Sequence, residues 1–152
     1  MVALAIGGQP DFSLSTIELD RPGPSYAVET LAQLAGQAGS DGSHGSFPRP
    51  LEFVLSAEAF VGFPGWREPG RILELARLAV VPRAGARPLD LDWLDRHLPA
   101  WRERVDFVDG PLVAVSASTI RDRVRAGLSI DGLVPPAVAE YIHAHHLYTQ
   151  PL

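Results

Sequence analysis

Short apolar runs alternate with longer amphipathic stretches along most of this chain. The short runs have the length of strands, whereas apolar residues in the longer stretches recur at the spacing of one helical face. The predicted strands are residues 12–19, 51–55, 78–81, 105–108 and 112–115. The predicted helices are residues 1–7, 26–37, 58–62, 69–78, 89–105 with a kink at Pro99, 119–126 and 136–146. This alternation predicts an α/β fold, with a parallel sheet and helices on both of its faces.

The pattern contains no internal repeat, so we expect residues 1–152 to form a single domain. Residues 36–50 are rich in Gly, Ser and Pro and lack periodicity, which predicts a flexible loop insertion. No apolar run approaches the ~20 residues that span a membrane, and the first residues lack the basic region of a signal peptide. We therefore expect a cytoplasmic protein with no membrane partner.

The absence of cysteine and of lysine narrows the possible chemistry. Without cysteine, the chain has no disulfide framework, thiolate metal site or cysteine nucleophile. Its formal net charge of −5 argues against broad nucleic-acid binding, which requires a basic surface. Since all 13 residues counted as Lys or Arg are arginines, a phosphate contact by a permanent positive charge must use arginine.

A first candidate site lies where a predicted strand runs into a helix, in Val-Ser-Ala-Ser-Thr-Ile-Arg at residues 115–121. Ligands bind beyond the carboxyl ends of strands in open α/β sheets, and a helix N-terminus favours phosphate. Hydroxyls of Ser116 and Ser118 and the forked cation of Arg121 would add donors. The alternative is an ordinary helix start, with Thr119 and Asp122 as a capping box.

Three further segments place aromatic or charged groups beside predicted element ends. A glycine turn at Gly23 leads into Ser25 and Tyr26 at a helix start, the alternative being that Tyr26 packs in the core. Trp66 lies in a Pro/Gly-rich loop, where it either stacks on a flat ligand or covers the core. Arg83 follows a predicted strand and lines either a ligand crevice or the surface.

Three histidines near the carboxyl end raise the question of a metal site. His143 and His146 share a helical face, and His145 lies between them. However, no carboxylate ligand accompanies them, and cations are favourable at a helix C-terminus in any case. We therefore predict no metal site in the protein.

Together these segments resemble the bacterial nicotinate-nucleotide adenylyltransferases (deamido-NAD pyrophosphorylases). The resemblance covers nearly the whole chain apart from residues 36–50. Its segments are Glu-x-x-Arg-x-Gly-x-Ser-Tyr at 18–26, Leu-Ser-Ala-Glu-Ala at 55–59, Phe-Pro-x-Trp at 63–66, Leu-Ala-Val-Val-Pro-Arg-x-Gly at 78–85, Val-Ser-Ala-Ser-Thr-Ile-Arg at 115–121 and Leu-Val-Pro at 133–135. Other nucleotidyltransferases share the Ser-x-Ser/Thr-x-Ile-Arg segment, but the Ser-Tyr pair and the tryptophan are specific to the nicotinate enzyme.

The resemblance implies a Rossmann-like nucleotidyltransferase fold and transfer of the adenylyl group of ATP to nicotinate mononucleotide, with Mg²⁺ assisting. Deamido-NAD and pyrophosphate would be the products. The implied substrate-binding residues are Ser25, Tyr26, Ala27, Trp66, which would stack on the nicotinate ring, and Arg83. The implied ATP-binding residues are Ser56 and Glu58 near the adenosine, and Ser116, Ser118 and Arg121 at the phosphates.

The chain also departs from the family pattern. The chain has Ala27 where the family commonly has threonine. It has Ser56-Ala57-Glu58 where the family commonly has Gly-x-Asp. The family's amino-terminal Gly-x-Phe-x-Pro-x-His-x-Gly-His segment, whose histidines bind the ATP phosphates, does not occur in the 152 residues. We therefore expect a fold without its first βαβ unit, no identifiable catalytic residue and impaired activity.

Two other functions remain open at this stage. One is a pantetheine-phosphate type of adenylyltransferase, against which Trp66 and the Ser25-Tyr26 turn both argue. The other is a non-catalytic nucleotide-binding module. A sheet without its first strand would also leave an apolar edge that is prone to association, so a homo-oligomer is a further option.

Overall fold

A parallel sheet forms the centre of the larger of two compact units in the computed structural model. The structure describes residues 1–38, 51–82, 91–110, 112 and 114–149. Strand β1 (Leu51–Ser56) pairs with β2 (Ala76–Val81), which pairs with β3 (Val105–Phe107), both in parallel. This unit comprises Ile17–Val113, and the other comprises Met1–Thr16 with Ala114–Leu152. The parallel sheet confirms the predicted α/β class.

The helices of the sheet-containing unit follow the predicted order. They are α2 (Ala27–Ala38), α3 (Ala57–Val61), α4 (Pro69–Leu75) and α5 (Leu91–His97). Two 3₁₀ turns, Phe63–Gly65 and Pro99–Arg104, follow α3 and α5. The long helix predicted over 89–105 is wrong, because α5 ends at His97 and Leu98, with φ −141° and ψ 50°, has left the helical conformation. Pro99 follows Leu98, and proline disfavours helical backbone in the residue before it.

Strand β2 is central, and its alternate side chains Ala76, Leu78 and Val80 are buried. They contribute to a core whose fully buried aromatic residues are Phe60 and Phe63. Phe60 stacks near Phe63 with ring centres 6.0 Å apart. Strand β1 differs from the predicted fully buried strand, because Val54 on its other face is 61% exposed.

The smaller unit has its own helices and its own core. Its helices are α1 (Val2–Ala5), α6 (Ala117–Arg125) and α7 (Pro136–Ala144). The core gathers around Ile130, which is fully buried, with Val138 and Ile142 from one face of α7. Gly127, with φ +66°, follows the end of α6 in a conformation that favours glycine.

Two predicted strands do not form in the described residues. Residues 12–16 lack regular structure and 17–19 lie in turns, and Phe12 and Leu19 are exposed. None of the three described strands pairs with this segment, so it does not extend the described sheet. Leu112, Ala114 and Val115 are also outside any strand. Most of the predicted loop lies outside the described residues, and α2 extends to Ala38.

Candidate functional site

A cavity of about 440 Å³ opens within the sheet-containing unit. It brings together the predicted substrate residues Ser25, Tyr26, Ala27 and Trp66. Its remaining lining residues are Glu18, Phe53, Gly65, Arg67 and Ile72. This volume lies in the range of about 300–1,000 Å³ that is typical of small-molecule sites. We refer to these nine residues as the aromatic cavity.

Trp66 is held against the core while it lines the aromatic cavity. Its ring lies edge-on to Phe53, with centres 6.2 Å apart, and tilted against Phe63 at 5.6 Å. The side chain is half-buried rather than fully covered. Both predicted roles of Trp66 are therefore compatible, because the core fixes the indole ring and the cavity gives access to it.

The turn before α2 presents Ser25 and Tyr26 to the same cavity. Gly23 adopts φ +85°, a left-handed conformation that glycine accepts without strain. The Ser25 hydroxyl donates to the Glu18 carbonyl oxygen at 3.3 Å. The Tyr26 carbonyl accepts from the amides of Glu29 and Thr30, so α2 begins here. The first N–H groups of a helix have no partner within it, and those of Ala27 and Val28 face this end of α2.

Arg67 also lines the aromatic cavity, and its sequence context predicted no role for it. Its guanidinium carbon lies 4.5 Å from the centre of the Tyr26 ring, which is the distance of a cation–π contact. Its signal in the sequence was only its position next to Trp66. Glu18 also lines the cavity without having been predicted to do so, although it begins the Glu-x-x-Arg-x-Gly-x-Ser-Tyr segment at 18–26.

The predicted adenosine-side residues lie at the junction of β1 and α3. Ser56 is the last residue of β1 and the cap of α3, where its hydroxyl accepts from the Ala59 amide at 3.3 Å. Glu58 lies exposed in the first turn of α3. A helix start directly after a parallel strand is the usual position of a nucleotide contact in this kind of sheet.

The predicted phosphate-side residues come together in the smaller unit at the start of α6. Ser116 caps the helix by accepting from the Thr119 amide at 3.0 Å. Arg121 donates to the Ser118 hydroxyl at 3.1 Å, so these two groups point to the same side. The predicted capping box of Thr119 and Asp122 is wrong, because α6 begins at Ala117 and Ser116 is its cap.

Arg83 lies outside the described residues, so its predicted contact is not placed. Within the parts of the chain that the structure describes, no group of three or more His, Asp or Glu side chains is arranged to hold a metal ion. His145 instead packs against the Tyr141 ring with centres 4.2 Å apart. No described helix is long and apolar enough to cross a membrane.

Curated relatives match almost the whole sequence. A protein of Roseiflexus sp. (strain RS-1), named as a nicotinate-nucleotide adenylyltransferase, is 43% identical over 148 residues, which are 97% of this chain and 69% of the relative. The chain belongs to the nicotinate-nucleotide adenylyltransferase family. Similarly named proteins of Thermomicrobium roseum and Pectobacterium atrosepticum are 40% and 34% identical, and the chain covers 65% and 72% of their lengths. No protein-family model matches the sequence.

Family membership agrees with the parallel sheet and with the resemblance identified from the motifs. The chain nevertheless spans only about two thirds of its relatives' lengths.

Proposed function

We propose that this chain binds nicotinate mononucleotide and ATP and contributes to adenylyl transfer between them, forming deamido-NAD and pyrophosphate in NAD biosynthesis. The observation that carries the proposal is that Trp66, Tyr26 and the start of α2 line one cavity. A flat ring suits the indole of Trp66, and an anion suits the helix start. The names of the relatives support the same reaction.

Nicotinate mononucleotide matches the two ends of the aromatic cavity. Its pyridine ring is flat and apolar enough to stack on Trp66. Its ring carboxylate can accept from the backbone N–H groups of Ala27 and Val28, which suffices without the hydroxyl of the threonine that the family commonly has at position 27. Ser25 is held by its bond to the Glu18 carbonyl, which keeps this turn in place for the ligand.

ATP binding is assigned to the hydroxyls and the arginine near the start of α6. Ser116, Ser118 and Arg121 supply hydroxyl and guanidinium donors suited to phosphate oxygens. Ser56 and Glu58 would border the adenosine, and Arg83 would line the substrate crevice. Mg²⁺ enters as part of the MgATP substrate, neutralising the phosphates.

The adenylyl group is transferred directly between the two substrates, without a covalent enzyme intermediate. A phosphate oxygen of nicotinate mononucleotide attacks the α-phosphorus of ATP, and the bond from that phosphorus to the bridging oxygen breaks. Pyrophosphate leaves with the bonding electrons, so the protein's part is to position both phosphates and to neutralise charge. Because the histidine segment of the family does not occur in these 152 residues, we expect slow turnover by this chain.

The experiment is a comparison of binding and turnover in the same preparation. Calorimetry measures the affinity for nicotinate mononucleotide and for 4′-phosphopantetheine, and chromatography measures deamido-NAD formed with MgATP. We expect binding of the nicotinate nucleotide and little product. Tighter binding of 4′-phosphopantetheine, or no binding of either ligand, would reject the proposal. Turnover at a rate ordinary for enzymes would contradict the expected need for the histidines.

We further propose that the protein acts in the cytoplasm. We also propose that it forms a homo-oligomer, because β1 is an edge strand of the described sheet and carries the exposed Val54. Light scattering across a range of protein concentrations tests the second point, and a constant monomer mass would reject it.

A further inference from the structure

Arg67 is a residue of the aromatic cavity that has no contact in the proposed function. It follows Trp66 directly and lines the aromatic cavity with it. Its guanidinium lies over the Tyr26 ring at 4.5 Å, so the ring supports the cation on one face and leaves the edge, which carries the N–H donors, accessible. The side chain is 52% exposed.

The donors of Arg67 are not consumed by close ion pairs. Within the described chain, its carboxylate contacts are 3.9 Å from Nη1 to Glu29 and 3.8 Å from Nε to Glu68. Both distances exceed that of a hydrogen bond. By comparison, Arg71 contacts Glu74 at 2.7 Å. Arg67 therefore keeps the planar fork of donors that recognises a carboxylate by two parallel bonds.

The charges that line the cavity make Arg67 decisive for an acidic ligand. Of the described lining residues, Glu18 and Arg67 carry charge. The Glu18 carboxylate accepts from the Thr30 hydroxyl at 2.7 Å, which holds this side chain beside the start of α2. Without Arg67, the charged lining would be Glu18 alone, and it would repel a ligand carboxylate while tolerating a neutral amide.

The backbone after Arg67 turns sharply into α4. Glu68 has φ +50°, a left-handed conformation that is uncommon outside glycine, and Pro69 then starts α4. The carbonyl of Glu68 accepts from the Ile72 amide, which secures the turn to the helix. Arg67 therefore lies in the turn directly before the first residue of α4.

We infer that Arg67 is a specificity-determining residue, whose guanidinium binds the carboxylate of an acidic pyridine nucleotide and so disfavours the neutral amide analogue. This inference rests on the proposed function, and it names the feature of the ligand that the site selects. Tyr26 is the positioning residue that holds the guanidinium.

The test measures the affinities of the 152-residue protein for nicotinate mononucleotide and for nicotinamide mononucleotide by calorimetry. We expect Arg67→Met to weaken nicotinate binding by about tenfold, the value of a charge-assisted hydrogen bond, and to change nicotinamide binding less than about twofold. Arg67→Lys keeps the charge without the fork and should restore part of the selectivity. Arg71→Met is the matched control on the exposed face of α4 and should alter neither affinity.

A second pair of variants separates positioning from general packing. Tyr26→Phe keeps the ring and should keep the ratio of the two affinities, whereas Tyr26→Leu removes the ring and should lower it. Equal losses for both nucleotides in Arg67→Met would overturn the inference, because they would indicate packing rather than selection. Unchanged binding would overturn it and leave the proposed function standing. A wild-type protein that does not bind nicotinate mononucleotide would overturn both.

Discussion

The hydroxyl of Thr30 donates a hydrogen bond to the carboxylate of Glu18 across 2.7 Å. Thr30 lies one turn inside α2, and Glu18 precedes the glycine turn that leads to the helix. Arg21 reaches the same place, where Nη1 lies 3.4 Å from the Thr30 hydroxyl and 3.4 Å from Glu29. The turn that carries Ser25 is therefore fastened to α2 by polar contacts.

Thr30→Val tests this attachment, because valine has the same shape without the hydroxyl. We expect the free energy of unfolding to fall by about 1 kcal/mol, the value of one such bond, since Glu18 is exposed and water partly replaces the donor. We also expect weaker binding of nicotinate mononucleotide, because the turn loosens. Chemical denaturation measures the first effect and calorimetry the second.

Glu18→Gln serves as the matched variant, since its amide oxygen still accepts from Thr30. Its loss of stability should be smaller, and the double variant should be less than additive, because both changes act on one bond. Strict additivity in the double-mutant cycle would show that the two residues are energetically independent.

Arg77 and Asp106 form a second attachment, between β2 and the short strand β3. Arg77 Nε donates to Oδ2 of Asp106 at 3.0 Å, and Nη2 donates to Oδ1 at 2.9 Å and to Oδ2 at 2.8 Å. Arg77→Lys keeps the charge but loses the two parallel bonds, so we expect about 1 kcal/mol less stability. The exposed pair of Arg71 and Glu74 gives the control, where Arg71→Lys should change stability by no more than about 0.5 kcal/mol.

Urea denaturation of both variants in low and high salt distinguishes geometry from charge. The Arg77→Lys loss should persist in high salt, because it arises from the geometry of two hydrogen bonds rather than from long-range attraction. A loss that disappears in salt would contradict the assignment of a forked contact.

The sequence predicted the central strands and the order of helices, but not where elements end. The apolar pattern extended the helix that starts at Pro69 to Leu78, whereas the chain leaves α4 after Leu75. Ala76 is already paired with Leu51, so the neighbouring strand sets this boundary. Strand pairing is a long-range event that local periodicity does not contain, and the exposed segment of Phe12 and Leu14 shows the same limit.

Sequence motifs predicted the candidate site residues that lie close together along the chain. Trp66 and the Ser25-Tyr26 turn were both predicted to bind substrate, and in the fold they line one cavity. Arg67 escaped notice because its role depends on Tyr26, which is 41 positions away and meets it only after α2 and α4 pack together. A cation–π contact between distant residues leaves no periodic signal in the sequence.

The cap of α6 allows stability and ligand binding to be separated. Ser116→Ala removes the acceptor for the Thr119 amide and should lower the stability of the unit containing α6 by about 1 kcal/mol. Ser118→Ala removes an exposed hydroxyl that bonds only to Arg121 in the described contacts, so its loss should stay within about 0.5 kcal/mol. Both variants should weaken ATP binding.

Thermal unfolding and ATP titration, performed on the same samples, test this separation. Arg121→Ala should reduce ATP affinity with little change in unfolding, because its side chain is not needed to cap the helix. If Ser118→Ala and Arg121→Ala leave ATP affinity unchanged, the start of α6 does not hold the phosphates.

Trp66→Leu tests the stacking role of the indole. Since aromatic stacking contributes about 1–3 kcal/mol, the affinity for nicotinate mononucleotide should fall by roughly 5- to 150-fold. Stability should also fall, because the ring packs against Phe53 and Phe63. Trp66→Phe keeps an aromatic face and should retain part of the affinity.

Trp93→Leu is the control that makes the interpretation of Trp66→Leu secure. Trp93 packs against Phe60 with ring centres 5.1 Å apart, and it does not belong to the described lining of the aromatic cavity. Removing it should destabilise the same core while ligand affinity, measured well below the unfolding temperature, stays unchanged. If Trp93→Leu weakened binding as much as Trp66→Leu, the loss would reflect a loosened core, and direct stacking on Trp66 would be ruled out.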